Sequence, residues 1–380
     1  MNFNLSEDQE AIRSAVREFV KKEVEPGAAD RDRNHEFPWG VFKALARDGY
    51  LCMHVPEKYG GGGADYLSYA IVIEELARGD AVTSVIFEVH NTLHSEAILH
   101  FGSEDQKLYH LPRLARGEVL GAYCLTEPGA GSDAGSLRTR AEKDGDSYVL
   151  NGQKTFITNG GVADQYIVMA NLDPGKGAKG ITAFIVTKDM PGVSFGKPEE
   201  KLGLHASQTT DVFLENVRVP AANRLGEEGQ GFKIALATLD GGRIGIAAQA
   251  VGLVQRALDI TVPYARERQQ FGKPIAEFQA IQWKLADMAT DLEAARLMMY
   301  RAAFLRQQGG KATREISMAK LFASEMAMRH TVEAVQILGG YGYLRDYTVE
   351  RLMREAKITQ LYEGTSEIQR LVIAREVLRD

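Results

Sequence analysis

The chain has 380 residues, of which 44% are hydrophobic and 25% charged. That is more than one ordinary core holds, so two or three domains are expected. A formal net charge of −6 argues against the broad basic face that nucleic acid needs, while leaving room for a local basic pocket. Its two cysteines, Cys52 and Cys124, fall in no metal or redox spacing, which points to a reducing compartment and inert core thiols.

The N-terminal stretch SEDQEAIRSAVREFV is acidic and lacks a signal-peptide pattern. Ser6 and Gln9 have the spacing of a capping box, and Ile12, Val16, Phe19 and Val20 share one helical face. FPWGVFKALARDGY predicts a second helix closed at Gly49. A loop follows at Gly60–Gly63, and AIVIEELAR and residues 93–100 predict further helices. Residues 1–120 therefore read as an all-α domain.

Over residues 121–228 the pattern changes. YVLNGQKTFITNG, YIVMANL, ITAFIVTK and TTDVFLENVRV are short, β-branched and aromatic, separated by Gly, Asn and Asp. They predict a β-domain, with no crossover helix long enough for a parallel sheet.

Residues 229–380 return to helical periodicity. LDGGR, 239–243, reads as a glycine break leading into a helix, and IGIAAQAVGLV (244–254) is too short and interrupted to cross a bilayer. Ile281, Leu285, Met288, Leu292, Ala295 and Met299 step by four and three, a seam for packing on other helices. A long helix is predicted from Thr313 to Leu338, stopped by Gly339 and Gly340. Ser366 and Gln369 have capping-box spacing, which starts the last helix near Glu367.

Single motifs are ambiguous. TEPGAGSDAGS (126–136) has dinucleotide-loop glycines, yet SLRTRAEKDGDSYVLNG after it reads as a hairpin, so a nicotinamide fingerprint is rejected. Its hydroxyls Thr126 and Ser132, with small glycines between, suit close approach to a ligand. KTFITNG reads as a strand ending in a turn, and QILGG as a helix end. Arg268 suits a helix C-terminus as well as a phosphate, and Arg243 is either a phosphate ligand or a solvated charge. His90, His94 and His100 lack the H-E-x-x-H pattern, which argues against zinc, and no G-x-S-x-G elbow or P-loop occurs. Glu363 lies in LYEGTSEIQR just before a helix start, where the helix end lowers a carboxyl pKa and an apolar pocket raises it.

Their order is more specific than any one of them. YCLTEPGAGSD, NGQKTFITNGG, LDGGRIGIAAQAVG, YARERQQFGKPI, QILGGYGY and LYEGTSEIQRLVIAR in succession resemble the acyl-CoA dehydrogenase family over essentially the whole chain, its short-chain (butyryl-CoA-type) members above all. The resemblance implies an α+β fold: an N-terminal all-α domain, a middle β-domain and a C-terminal four-helix bundle. It implies FAD, a homotetramer, an acyl-CoA substrate, and electron transfer flavoprotein as acceptor.

By the same resemblance Tyr123, Cys124, Leu125, Thr126, Ser132, Phe156, Ile157 and Thr158 contact FAD. Arg268, Phe271, Gln279 and the turn Gln336, Ile337, Leu338, Gly339 and Gly340 reach the FAD of a neighbouring subunit. Thr365, Ser366 and Glu367 form a further FAD segment, and Ser132, Asp240, Arg243 and Gly364 contact acyl-CoA. Glu363 matches the catalytic base, removing the α-proton of the thioester while the β-hydrogen leaves as hydride to flavin. Some members carry the base just before the arginine of the LDGGR-like segment; here that position is Gly242, leaving Glu363 as the single candidate. Many relatives have Trp where this chain has Phe156, so a role for indole in electron exit is not transferred.

The expected activity is FAD-dependent conversion of a short- to medium-chain acyl-CoA to the trans-2-enoyl-CoA, part of fatty acid β-oxidation. The expected location is the cytoplasm, or the mitochondrial matrix if a transit peptide has been removed. Two rivals are an acyl-CoA oxidase, separated by peroxide formation in air, and a non-catalytic helical scaffold, which retention of Glu363 and Arg268 argues against. Chain length and branching depend on packing between helices, which the sequence leaves open.

Overall fold

The computed structural model describes residues 4–310 and 312–379; residues 1–3 and 380, the outer ends of the predicted first and last domains, lie outside the described residues. Seven helices come first: α1 Glu7–Phe19, α2 Ala28–Asn34, α3 Trp39–Arg47, α4 Tyr66–Gly79, α5 Ala81–Glu88, α6 Glu96–Phe101 and α7 Glu104–Ala115. Ser6 and Gln9 form the predicted capping box, and α3 ends just before Gly49, whose φ of +76° is natural for glycine past a helix end. Between α5 and α6 the backbone widens to π-helix over Val89–Ser95.

The middle of the chain forms eight strands: β1 Gly121–Cys124, β2 Arg140–Asp144, β3 Ser147–Thr158, β4 Gln165–Asn171, β5 Ile181–Thr187, β6 Val193–Phe195, β7 Thr209–Pro220 and β8 Arg224–Leu225. Their order is β6-β7-β3-β2-β4-β5-β8, with β1 on β4. The predicted hairpin is β2–β3, antiparallel from Arg140 opposite Asn151 to Asp144 opposite Ser147. The sheet is mixed and mostly antiparallel, and among the described residues no α-helix crosses over between its strands, as expected. β1 runs parallel to β4, with Gly121 opposite Gln165, because the β2–β3 hairpin, in place of a helix, carries the chain back between them.

The rest is α8 Gly231–Glu267, a small ribbon of β9 Gln269–Gln270 and β10 Lys273–Pro274, then α9 Gln279–Gln307, α10 Thr313–Leu338, α11 Val349–Ala356 and α12 Ser366–Val377. α10 has the predicted bounds. On α9, Met288, Leu292, Ala295 and Met299 are buried, while Ile281 and Leu285, also on the predicted seam, are half-buried.

The glycine break at 239–243 does not exist: Gly241 and Gly242 lie inside the 37-residue α8. Space explains them. A Cβ on Gly241 would sit 2.5 Å from the Tyr66 hydroxyl, one on Gly245 would sit 2.6 Å from Glu88 Cγ, and one on Gly252 would sit 2.2 Å from the Glu74 carbonyl oxygen. Each glycine costs helix stability of about 1 kcal/mol relative to alanine, offset here by close packing on α4 and α5. Among the described residues no helix is long and apolar enough to cross a membrane.

Candidate active site

A cavity of about 480 Å³ opens where α5, β1, β3, α8 and the start of α12 converge. Of the residues predicted for the site, Tyr123, Leu125, Thr126, Ser132, Phe156, Ile157 and Thr158 line it from the β side. Arg243, Glu363 and Gly364 line it from the helical side.

Local geometry aims these groups. β3 carries a register shift against β7 between Lys154 and Ile157, and Phe156 within it has φ of +57°. Such a bulge re-aims a side chain, and the Phe156 ring is left 65% exposed. KTFITNG is the expected strand ending in a turn at Asn159–Gly160, with a bulge inside it that the sequence reading did not include. The loop after β1 is fastened by a buried ion pair. Lys154 Nζ donates to Glu127 Oε1 (2.8 Å) and to the Leu125 carbonyl (3.2 Å), while Glu127 accepts from the backbone N–H groups of Arg138 (2.5 Å) and Thr139 (2.9 Å).

Glu363 sits in the left-handed region at φ +53°, followed by Gly364 at +93°. A non-glycine residue there costs about 1–3 kcal/mol and persists only where its surroundings fix it. Three side chains do so. Arg243 Nε donates to the Glu363 carbonyl (3.2 Å), Lys320 Nζ to the Gly364 carbonyl (2.8 Å), and Gln369 Nε2 to both, at 3.2 and 2.9 Å. The Glu363 backbone N–H makes no hydrogen bond among the described residues.

The predicted Ser366–Gln369 capping box is absent. Thr365 is the N-cap, its hydroxyl accepting from the Ile368 N–H (3.4 Å), because the helix opens one residue earlier than predicted and puts Gln369 past the capping-box position, where its Nε2 donates to the 363–364 carbonyls. Ser366 is buried and Glu367 exposed.

Burial raises the Glu363 carboxyl to about 7, opposed by a hydrogen bond from Glu88 and by the positive charges of Lys320 and Arg243. Of the two forces expected on this group, burial wins. Lys320 is itself pushed down to about 8 by burial. Gly242 faces Glu363 directly: a Cβ there would lie 2.1 Å from Glu363 Oε2, so the glycine makes room for the carboxylate.

Other predicted residues lie elsewhere. Cys124 is fully buried on β1, away from the cavity lining. Asp240 is not part of the lining; it accepts from Arg243 (2.9 Å) and from the Thr313 hydroxyl (3.0 Å). Arg268, Ile337, Leu338, Gly339 and Gly340 line a separate cleft at the end of α8 and α10, with Arg268 over the Tyr341 ring. Gln336 is exposed on α10 and Gln279 opens α9, also exposed. Phe271, 94% exposed, projects from the β9–β10 turn. Within one chain these groups do not meet Glu363.

Sequence reasoning missed Glu88, Lys320 and the Lys154–Glu127 pair. Glu88 and Lys320 had signals: a charged residue inside an apolar run, as in VIFEVH, and one on the buried face of α10 with Ile316, Ala323 and Ala327. Glu88 lines the same cavity as Glu363, the single candidate base. His90 and His94 are spent internally, His90 on the Leu114 carbonyl and the Gly121 N–H. No metal-binding group of three or more His, Cys, Asp or Glu occurs among the described residues.

Three family models match the chain in order: acyl-CoA dehydrogenase N-terminal domain over residues 6–118, middle domain over 122–217 and C-terminal domain over 229–378. An acyl-CoA dehydrogenase of Bacillus subtilis (strain 168) is 52% identical over 375 residues, 99% of each chain. The butyryl-CoA dehydrogenase of Megasphaera elsdenii superposes with a TM-score of 0.98 at 48% identity, covering 100% of both chains. A chain from structural work on the electron transferring flavoprotein of Acidaminococcus fermentans superposes with a TM-score of 0.99 at 48% identity, again over 100% of both.

Proposed function

The chain belongs to the acyl-CoA dehydrogenase family, and from that premise we propose that it oxidises a short-chain acyl-CoA at the cavity above Glu363. The observation that carries the reading is Glu363 itself: a carboxyl held in a strained turn, facing an apolar cavity, with its pKa raised to about 7. A general base works best when its pKa lies near the operating pH.

The family is FAD-dependent, and the residues present fit such a group. Hydroxyls of Thr126, Ser132 and Thr158, the apolar Leu125 and Ile157, and the exposed Phe156 ring line one wall, a donor set suited to a planar heteroaromatic. When bound, FAD supplies the hydride acceptor. Glu363 takes the α-proton, and its turn, fixed by Arg243, Lys320 and Gln369, holds the carboxylate in place. A positioned base contributes about 10²- to 10⁴-fold. The Glu363 N–H, without a partner among the described residues, is free to hold the thioester oxygen as enolate character grows, an interaction worth about 3–4 kcal/mol.

The butyryl-CoA-type relative supports a short acyl group, and the electron transferring flavoprotein work supports such a protein as acceptor. Phe271 and Tyr343, 94% and 82% exposed, support burial against further copies in a homotetramer, which would bring the Arg268 cleft to a neighbour's cavity. The test is turnover of an acyl-CoA panel with a dye acceptor, alongside Glu363→Gln. The variant should keep FAD and lose turnover; unchanged turnover sinks the base assignment, and peroxide formation in air as fast as dye reduction would favour an oxidase.

A further inference from the structure

The cavity holds two carboxyls, and the reaction as described uses one. Glu88, the last residue of α5, is 1% exposed and lies within hydrogen-bonding reach of Glu363. Its Oε1 accepts from the Thr92 hydroxyl at 2.5 Å. Its Oε2, and Oε2 of Glu363, are buried with no donor among the described residues. Two buried acceptors without a donor are costly, and two carboxylates this close do not both ionise. One proton between them removes both penalties.

The surroundings decide which carboxyl keeps it. Apart from the Thr92 hydroxyl, which opposes the shift, Glu88 faces acids and phenols: Glu363 beside it, Glu96 on α6, Tyr69 on α4, and Tyr362 next to Glu363. Gly245 on α8 packs against its Cγ and offers no polar atom but backbone. Glu363 faces two cations, Arg243 on α8 and Lys320 on α10, together with the Tyr123 and Tyr362 hydroxyls. Charge is therefore stabilised on Glu363 and neutrality on Glu88.

We propose that Glu88 is a positioning residue for the reaction: it keeps its proton and donates a hydrogen bond to the Glu363 carboxylate, so the resting pair carries one proton and one negative charge. The proposal rests on Glu363 being the base. When Glu363 takes the α-proton, the pair holds two protons and becomes neutral; the carbon that lost the proton keeps the electron pair. Glu88 thus sets the pH at which Glu363 is free to accept a proton and holds its carboxylate at the cavity floor.

Infrared spectroscopy of the FAD-loaded enzyme at about pH 9, where the Glu363 carboxyl, raised to about 7, is ionised, tests where the proton resides. The C=O stretch of a protonated carboxyl should disappear in Glu88→Gln and persist in Glu363→Gln. Glu355, which burial pushes up to about 8, supplies a constant background band in all three proteins. A band lost in Glu363→Gln and kept in Glu88→Gln, or no difference between wild type and Glu88→Gln, overturns the proposal. The second readout is the acid limb of the kcat/KM profile. Glu88→Leu loses the donor, so the limb should move up by about one to two pH units, as expected for a hydrogen bond to a charged group. Glu88→Gln, whose amide still donates, should hold the limb near wild type. Superimposable limbs in all three, with Glu363→Gln inactive, would overturn the role of Glu88 and leave the base intact. An active Glu363→Gln would instead overturn the function beneath it.

Discussion

Replacing Gly242 with alanine separates folding from catalysis at one atom. The added Cβ would lie 2.1 Å from Glu363 Oε2, 2.7 Å from its Cδ and 2.8 Å from Oε1, with no backbone atom of another element among these nearest neighbours. Ordinary contact begins near 3.4 Å, so the carboxylate must retreat by about 1.3 Å. It is the far end of a flexible side chain, so the fold accommodates the change. Alanine also favours the interior of α8 by about 1 kcal/mol over glycine, which offsets part of the repacking. A displacement of about 1 Å at a reacting group costs on the order of 10²-fold in rate. Gly242→Ala should therefore fold, bind FAD and melt within a few degrees of wild type, while kcat in a dye-coupled assay falls about 100-fold or more. Wild-type kcat in a folded, FAD-loaded Gly242→Ala would refute the claim that this carboxylate must stand where the structure has it.

Glu363 should also make stability depend on pH. Its carboxyl is raised to about 7 in the folded protein from an ordinary 4.5, so the folded state holds the proton longer and stability declines as pH rises between those values. Glu363→Gln removes that decline: thermal melts should find it more stable than wild type at pH 8 and similar at pH 4. In the kcat/KM profile, activity should rise with pH through about 7 as the base ionises. Lys154→Met leaves Glu127 buried without its cation, which should cost about 3–5 kcal/mol in denaturant unfolding and weaken FAD retention through the loop after β1. Cys52 and Cys124 are buried and pushed up to about 12, so neither should react with a maleimide in the native protein, and both should react on unfolding; rapid native labelling would contradict their placement.

Local signals in the sequence determined the elements that depend on neighbours a few residues away. The Ser6–Gln9 cap, the end of α3 before Gly49, the β2–β3 hairpin and the full span of α10 follow from capping, turn chemistry and periodicity. The order of six motifs placed the chain in its family, and LYEGTSEIQR singled out Glu363. What tertiary structure decided are matters of distance between segments far apart in the chain. Gly241 and Gly242 look like a helix break until Tyr66 and Glu363 are seen to occupy the space a Cβ would need. Ser366 and Gln369 look like a cap until Thr365 is found at the cap position, with the Gln369 Nε2 donating to the 363–364 carbonyls. Glu88 and Glu363 are separated by most of the chain, and no periodicity couples them. Only packing α5 and the start of α12 against one face of α8, at Gly245 and Gly242, brings two carboxyls out of water together, where their shared environment, not their sequence context, sets their protonation.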